Sequence, residues 1–334
     1  MGRPGGRLAC VAFCMAITIG PVLSAPSQKL TAVAINGATL TGGAKHGKGE
    51  VDPVLIKAQV LLDRARFSPG VVDGHDGENL RHALKSFGEA RGSRDDGKLD
   101  DAMWAMLAAT SPDPVVTEYT ITPEDLKGPF AEDIPNKLED QARLERLSYT
   151  SPAEMLSERF HMDQDLLAAL NPGRSFDRPG TVILVANVLA DRDDHAGRVA
   201  RIEVDKGRHL LRALAGDGAL IAVYPASVGS DEKPAPSGTH SVRAIARNPT
   251  YTYSPDFRFK GVAAKEKFVV KPGPNNPVGS TWIDLSAETY GIHGTPHPDK
   301  VGKVHSQGCV RLTNWDVDAL AGMVRKGTTV TFLD

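Results

Sequence analysis

The chain has 334 residues, of which 41% are hydrophobic and 24% charged, and its formal net charge is −2. This hydrophobic fraction can build packed cores, so the composition excludes a wholly disordered chain, and the near-neutral charge argues against a dedicated nucleic-acid binder. Beyond residue 24, no apolar run reaches the roughly 20 residues that span a bilayer. This excludes an integral membrane protein, apart from one held by an uncleaved N-terminal anchor.

The N terminus has the layout of a secretory signal peptide. Two arginines precede a mostly apolar stretch over residues 8–19, and Val22 and Ser24 suit the −3 and −1 positions for cleavage before Ala25. We therefore expect residues 1–24 to be removed, and the rest of the chain to be exported to the periplasm or cell wall without stable membrane insertion.

Cleavage at that point would leave one cysteine. Cys10 and Cys14 lie within the predicted signal, so the exported chain would keep only Cys309. A lone thiol in an oxidising compartment is either buried and inert or used in chemistry. The count alone leaves both alternatives open.

The N-terminal half predicts a small helical domain after a flexible lead-in. Residues 25–52 are rich in Gly, Ala and Thr, and residues 53–109 contain three short stretches with helical periodicity. The turns at 70–74 and 96–99, the latter followed by Trp104, resemble those of the peptidoglycan-binding three-helix domain. A plain helical spacer is the alternative.

A second small unit follows a Pro- and acid-rich linker predicted over residues 110–146. Between residues 147 and 190, a helix start at Ser151-Pro152 and a second helix are followed by a strand over 181–185. The strand-helix-helix-strand order and the Leu-Asn-Pro-Gly turn at 170–173 resemble a degenerate LysM-type glycan-binding module. A structural hinge is the alternative.

The C-terminal part, residues 198–334, predicts a mainly antiparallel β domain with one helix at 316–324. The apolar period changes to two, and short strands are punctuated by Gly-containing turns. From Arg198 onward 18 Lys and Arg stand against 13 Asp and Glu, a net charge of +5, whereas residues 25–197 have 19 against 28, a net charge of −9. A basic domain suits a substrate that carries carboxylates.

Two short motifs in this domain contain the residues of acyl-transfer chemistry. The first is His-Gly-Thr at 293–295, and the second is Ser-Gln-Gly-Cys-Val-Arg-Leu at 306–312. A thiol is a good nucleophile only as thiolate, and an imidazole can accept its proton and later return it to a leaving amine. Successive backbone N–H groups at Gly308 and Cys309 could stabilise an oxyanion.

These motifs resemble the L,D-transpeptidase (YkuD-type) catalytic domain over about residues 198–334. The fold class predicted for the chain is therefore α+β multidomain: a three-helix domain, a LysM-like βααβ module and a mainly β catalytic domain. The resemblance implies that Cys309 is the nucleophile and His293 its base, and that a carbonyl near Gly294 or Ser306 orients the imidazole. It places the following residues around the substrate: Arg311, Thr295, Gln307, His305, Tyr290 and Trp282.

One position departs from the family pattern. The family usually has a histidine immediately before the Gly-Cys pair, whereas this chain has Gln307, with a histidine two places earlier at His305. A zinc site built from His293, His297, His305 and Cys309 is an alternative with enough ligands, but His297 lies between prolines, so we expect no metal and no organic cofactor.

The resemblance implies attack of Cys309 on a peptidoglycan tetrapeptide stem, release of D-Ala, and transfer to a neighbouring stem to form a 3→3 cross-link. The expected partners are stem peptides and glycan strands. Two alternatives remain: a thiol L,D-carboxypeptidase or endopeptidase that uses water as acceptor, and a non-catalytic cell-wall-binding protein. Residues 251–259, rich in Tyr, Phe and charge, are expected to form a loop over the cleft.

Overall fold

The computed structural model describes residues 1–2, 30–40, 50–93, 96–189, 198–230, 233–257, 264–304, 306 and 308–334. All but the first two residues of the predicted signal peptide, and also His305 and Gln307, lie outside the described residues. Within the described ranges, no helix is both long and apolar enough to cross a membrane.

The architecture mixes helices and strands, with a helical N-terminal region and a mostly β C-terminal domain. The α-helices in the described ranges are α1 Ala32–Asn36, α2 Pro53–Arg64, α3 Glu78–Glu89, α4 Asp101–Ala108, α5 Leu138–Gln141, α6 Pro152–Arg159, α7 Gln164–Leu170 and α8 Asn314–Met323. The strands there are β1 Val116–Thr120, β2 Val182–Ala186, β3 Arg201–Asp205, β4 Leu210–Leu214, β5 Leu220–Pro225, β6 Ser227–Val228, β7 Gly238–Arg247, β8 Tyr251–Tyr253, β9 Phe268–Val270, β10 Thr281–Leu285, β11 Gly291–His293, β12 Val310–Arg311 and β13 Thr329–Leu333.

The three helices predicted between residues 53 and 109 are present as α2, α3 and α4. Asp52 caps α2 by accepting a hydrogen bond from the Val54 amide at 2.7 Å, ahead of a proline in the first turn. Asp100 caps α4 through the Met103 amide at 2.8 Å. The apolar faces of these helices meet in one core, where Phe87 is fully buried.

The predicted flexible lead-in is partly wrong, because the segment that precedes α2 contains α1. Thr31 caps this helix through the Ala34 amide at 3.1 Å, and Ile35 is fully buried. The Asn36 side chain then accepts hydrogen bonds from the Val115 and Val116 amides, each at 2.9 Å. The buried Ile35 side chain and the hydrogen bonds of Asn36 hold this segment against the start of β1.

The predicted linker is also corrected by the structure, since it contains β1. This strand pairs antiparallel with β2 along its whole length, from Val116 opposite Ala186 to Thr120 opposite Val182. The first strand of the strand-helix-helix-strand unit therefore lies before residue 147, and the unit is β1, α6, α7 and β2. Its sequence signal is weak because only Val116 of the five β1 residues is buried.

The C-terminal domain is built on a nine-stranded sheet in the order β5-β4-β3-β13-β7-β10-β11-β12-β6. Most neighbouring strands are antiparallel, and β13–β3 and β11–β12 are parallel. Helix α8 packs on the sheet, with Val317 and Leu320 fully buried in the domain's own core. Strands β8 and β9 form a separate pair.

The helical region is joined to the sheet by backbone pairing, so it is not a loosely tethered unit. Phe67 forms a parallel bridge with Val223 of β5, and the Ser68 amide donates to the Val223 carbonyl at 2.9 Å. Val223 and Leu210 of the sheet belong to the same apolar cluster as α2–α4, α6 and α7. Two cores therefore share one boundary along β4 and β5.

Candidate active site

The two motif residues lie on neighbouring parallel strands. His293 ends β11 and Cys309 immediately precedes β12, and the register pairs His293 with Arg311. Because side chains alternate along a strand, Cys309 shares a face with Arg311 and hence with His293. Strand spacing and rise put their Cα atoms roughly 8 Å apart on the diagonal. The fold thus places thiol and imidazole on the same face of the sheet.

The imidazole of His293 is held from two sides. Its Nδ1 lies 2.7 Å from the Gly294 carbonyl oxygen, and its ring stacks on Trp282 with a centroid separation of 5.3 Å and an interplanar angle of 17°. A carbonyl can only accept, so Nδ1 carries the proton and Nε2 presents a lone pair. Of the two carbonyls considered from the sequence, Gly294 makes this contact.

Gly291 is needed for the Trp282 stack. A Cβ added at Gly291 would lie 2.4 Å from a ring carbon of Trp282, so the indole rests directly on this glycine. The Gly291 amide also donates toward the Cys309 sulfur. Gly291 therefore contacts both the indole that stacks on His293 and the sulfur of Cys309.

The loop that presents Cys309 is closed by Ser306. The Ser306 hydroxyl donates to the Cys309 carbonyl, and its amide donates to the Gly229 carbonyl at 2.8 Å. Gly308 has a φ of +100° and approaches Tyr290 so closely that a Cβ there would lie 2.8 Å from the ring. This backbone conformation favours glycine strongly, which explains the Gly before the Cys.

Burial drives the Cys309 thiol and the His293 imidazole toward their neutral forms. It raises the pKa of the Cys309 thiol, opposed by the Gly291 amide and by the positive charges of Lys233 and Arg311. It lowers the pKa of His293 to about 3, and the Arg311 charge adds to that decrease. The resting pair near neutral pH is therefore thiol and neutral imidazole, rather than a preformed thiolate–imidazolium pair.

Further residues around the sulfur extend the site. The phenol of Tyr251 is close enough to Cys309 and Arg311 to interact with both electrostatically, and burial raises its pKa to about 12. Residues 251–259 were expected to form a loop, but their first three residues, Tyr251–Tyr253, form strand β8. Residues 258–259 lie outside the described part of the chain. Lys233 packs 5.9 Å from the centre of the Tyr290 ring.

The other predicted site residues have mixed placements. Thr295 is buried and its hydroxyl accepts from the His297 amide at 3.3 Å, and the Tyr290 hydroxyl donates to the Pro234 carbonyl at 3.2 Å. Trp282 and Tyr290 are both brought to the site. In the described part of the chain, no three His, Cys, Asp or Glu side chains form a group that could hold a metal ion.

Three long-range contacts that hold the segments around the site were missed by sequence reasoning. Asn314 at the start of α8 packs against Gly294, Glu158 of α6 binds Asn314, and Asn79 of α3 donates to the Val301 carbonyl at 2.9 Å. These pairs are separated by 20 to 222 positions. No periodicity or motif spacing indicates such pairs, and the helix predicted at 316–324 begins at Asn314 in the structure.

Comparison with known proteins identifies two of the regions. Residues 199–332 match the family described as "L,D-transpeptidase catalytic domain" (YkuD). Residues 52–107 match the family described as "Putative peptidoglycan binding domain". The resemblance inferred from the motifs is confirmed for these two regions.

Curated relatives extend the likeness. The chain is 50% identical over 58 residues to "Putative L,D-transpeptidase YkuD" of Bacillus subtilis, covering 17% of this chain and 35% of that protein. It is 30% identical over 191 residues to "Probable L,D-transpeptidase YbiS" of Escherichia coli, covering 55% and 61%. The chain thus spans less than two thirds of the length of each of these two relatives.

A solved structure and a further relative complete the comparison. The L,D-transpeptidase 3 structure from Mycobacterium tuberculosis aligns with 41% of this chain and 62% of that chain, with 18% identity and a TM-score of 0.34. A "Putative L,D-transpeptidase" of Fuscovulum blasticum is 30% identical over 155 residues, which cover 46% of this chain and 71% of that protein. The chain belongs to the L,D-transpeptidase family.

Proposed function

We propose that the chain is a cysteine-dependent peptidoglycan L,D-transpeptidase that forms 3→3 cross-links through an acyl-enzyme on Cys309. The observation that carries the proposal is the shared face of Cys309 and His293, with the Gly294 carbonyl fixing Nδ1 so that Nε2 carries the lone pair. This is the arrangement that a thiol and its general base require.

The first half-reaction is acylation. The Cys309 sulfur attacks the carbonyl of the third residue of a tetrapeptide stem, and its proton moves to His293 Nε2 as the S–C bond forms. The C–N bond to D-Ala then breaks, and the imidazolium returns the proton to the leaving amine. Proton transfer must accompany attack, because the pKa of the thiol is raised and that of the imidazole is lowered to about 3.

The negative oxygen of the tetrahedral intermediate needs hydrogen-bond donors. In the part of the chain that the structure describes, the amides of Gly308 and Cys309 have no backbone acceptor. Gly308, with its positive φ, lets the chain turn at this point. We assign these two amides to the oxyanion, where fixed donors stabilise charge as it develops.

The second half-reaction transfers the acyl group. The side-chain amine of a neighbouring stem attacks the thioester and His293 accepts its proton. The C–S bond then breaks, and the imidazolium returns the proton to the leaving sulfur, which restores the thiol and the neutral imidazole. No cofactor takes part in either step. Arg311, half-buried beside the sulfur with a pKa lowered by burial, is assigned to a stem carboxylate or to stabilising the thiolate.

The accessory regions are assigned to the polymer. The helical region would bind peptidoglycan, as the family matched there is described. The β1-α6-α7-β2 unit would bind glycan as a LysM-like module, in a groove of about 430 Å³ beside β1 and β2 that includes Glu118 and Arg174. Secretion to the periplasm after cleavage before Ala25 stays a prediction of the N-terminal sequence.

The test is incubation of purified protein with tetrapeptide muropeptides, followed by mass spectrometry. Cross-linked dimers and free D-Ala are expected from the wild type, with neither from Cys309→Ala. Shortened monomers in place of dimers would assign water as the acceptor and a carboxypeptidase. Unchanged muropeptides with the wild type would overturn the enzymatic proposal.

A further inference from the structure

A glutamate from outside the catalytic domain reaches its interior. Glu158, on α6 of the β1-α6-α7-β2 unit, is only 7% exposed. Its two carboxyl oxygens accept hydrogen bonds from Asn314 Nδ2 at 3.3 and 3.0 Å, and the Tyr149 hydroxyl donates to Oε2 at 3.3 Å. A buried carboxyl with three such contacts is a fixed point in the structure.

Asn314 connects Glu158 to the backbone that lies next to the site. Its Nδ2 also donates to the Pro274 carbonyl at 3.2 Å, and its Oδ1 accepts from the Ser280 amide at 3.1 Å. A Cβ placed on Gly279 or on Gly294 would lie 2.2 Å from that Oδ1. The amide is therefore in close contact with both glycine backbones and leaves no space for a larger residue.

Gly294 connects this contact to the catalytic base. Its carbonyl holds His293 Nδ1 at 2.7 Å and thereby selects the tautomer with a lone pair on Nε2. Movement of the Gly294 peptide by a fraction of an ångström would lengthen that bond. The contacts thus run without a break from Glu158 through Asn314 and Gly294 to His293.

We propose that Glu158 is a positioning residue for the L,D-transpeptidase reaction: through Asn314 it holds the Gly294 carbonyl that sets the tautomer and orientation of His293. The inference rests on the proposed function and adds that the β1-α6-α7-β2 unit, besides any role in glycan binding, completes the catalytic site. A catalytic domain without this unit would keep its nucleophile and base but hold the base less firmly.

The test reads the imidazole directly. In Glu158→Ala, ¹⁵N spectra of the His293 ring are expected to shift from the Nδ1–H tautomer toward a mixture, and alkylation of Cys309 by iodoacetamide at pH 7 to slow by about 3- to 10-fold. Glu158→Gln keeps an acceptor for Asn314 and is expected to restore both readouts to near wild type. A folded Glu158→Ala protein with wild-type tautomer and alkylation rate would overturn the proposal.

Helix α6 offers a matched control one turn away. Glu154 also bonds an asparagine of the catalytic domain, accepting from Asn275 Nδ2 at 2.8 Å, whereas Asn314 Nδ2 donates to Glu158 and to the Pro274 carbonyl. Glu154→Ala is expected to lower the melting temperature without changing the tautomer. Equal spectral changes in both alanine variants would mean general loosening of the interface and would overturn a positioning role for Glu158.

A second variant and the choice of readouts ensure that the experiment gives a clear answer. If Glu158→Ala does not fold, Asn314→Ala removes the other end of the same contact, and the same two readouts apply. Both readouts are independent of cross-linking, so a wild type that is inert on muropeptides refutes the proposed function alone. A wild type that is active on muropeptides, with Glu158→Ala indistinguishable from it, refutes the positioning role alone.

Discussion

Two buried ionisable side chains, His293 and Glu158, lie at the two ends of the contacts that run through Gly294 and Asn314, and burial shifts their pKa values in opposite directions. Burial lowers the pKa of His293 to about 3 and raises the pKa of Glu158 to about 8. Each group is thus pushed toward its neutral form. His293 lies on the same face of the sheet as the thiol, whereas Glu158 is enclosed by amide and phenol donors. The comparison teaches that the neighbours of a buried titratable group, rather than its pKa, decide whether it reacts or supports.

The largest expected effect on activity comes from removing the sulfur of Cys309. Cys309→Ala is expected to abolish cross-linking while the melting temperature stays within a few degrees of wild type, since the sulfur is held only weakly, by a long contact of 4.0 Å to the Thr289 carbonyl and by the Gly291 amide. Muropeptide mass spectrometry and thermal melts measure the two effects. A collapse of folding would instead favour an inert structural thiol.

Gly294→Ala breaks the contact that joins the two regions. The added Cβ would lie 2.2 Å from Asn314 Oδ1, and overpacking of this kind costs about 1–3 kcal/mol of unfolding free energy. Activity is expected to fall as well, because the same peptide orients His293. Urea unfolding and turnover measure both.

Gly322→Ala is the matched control for that substitution. It lies in α8 with nothing within 4 Å of an added Cβ, so it is expected to leave stability unchanged or raise it by about 0.5–1 kcal/mol. Equal losses in both variants would contradict a tight Asn314–Gly294 contact.

The pH dependence of stability sharpens the comparison. The folded pKa of Glu158, about 8, lies above its ordinary value of 4.5, so the folded state binds more protons between these values and its stability falls as pH rises through that window. His293 has the opposite effect. Its pKa is about 3 in the folded state and ordinarily 6.5, so its contribution to stability rises as the pH increases from 3 to 6.5. Between pH 6.5 and 8 the fall due to Glu158 remains.

Glu158→Gln removes this titration. Thermal melts of the variant between pH 6.5 and 8 are expected to show a smaller decrease with pH than melts of the wild type. The pKa of Glu158 is raised mainly by burial, and the negative charges of Glu154 and Asp318 raise it further. Parallel curves for the two proteins would mean that Glu158 is ionised throughout this range.

A smaller loss of stability is expected from a substitution at Ser68, where the helical region meets α8. The Ser68 hydroxyl donates to Asp316 Oδ2 at 2.9 Å and accepts from the Gly70 amide at 3.0 Å. Ser68→Ala should cost about 1 kcal/mol or somewhat more of unfolding free energy, because it leaves buried partners less well bonded. The His293 tautomer should not change, and a change would extend the positioning network to this interface.

The sequence predicted the parts that depend on local pattern. The helical periodicity from Pro53, the helix start at Ser151-Pro152 and the period-two strands placed most elements within a few residues, and the two motifs singled out Cys309 and His293. The family comparison confirms the catalytic and peptidoglycan-binding regions, whereas the roles of the two site residues stay predictions.

The parts that were missed depend on long-range contacts. β1 carries a weak apolar pattern and becomes a strand only because β2 pairs with it, and α1 is fixed by Asn36 bonding to β1. Glu158 is an ordinary charged residue in its helix until Asn314, 156 positions later, donates to it. Such contacts leave no spacing signal in one sequence, because they depend on how separate units pack.

The most direct test of the central claim is the rate of Cys309 alkylation against pH in the wild type and in His293→Ala. At pH 7 the variant is expected to react at least about tenfold more slowly, since it lacks the base that takes the thiol proton. The gap should close well above pH 9, where the thiol ionises without help. Equal rates at every pH would contradict activation of Cys309 by His293.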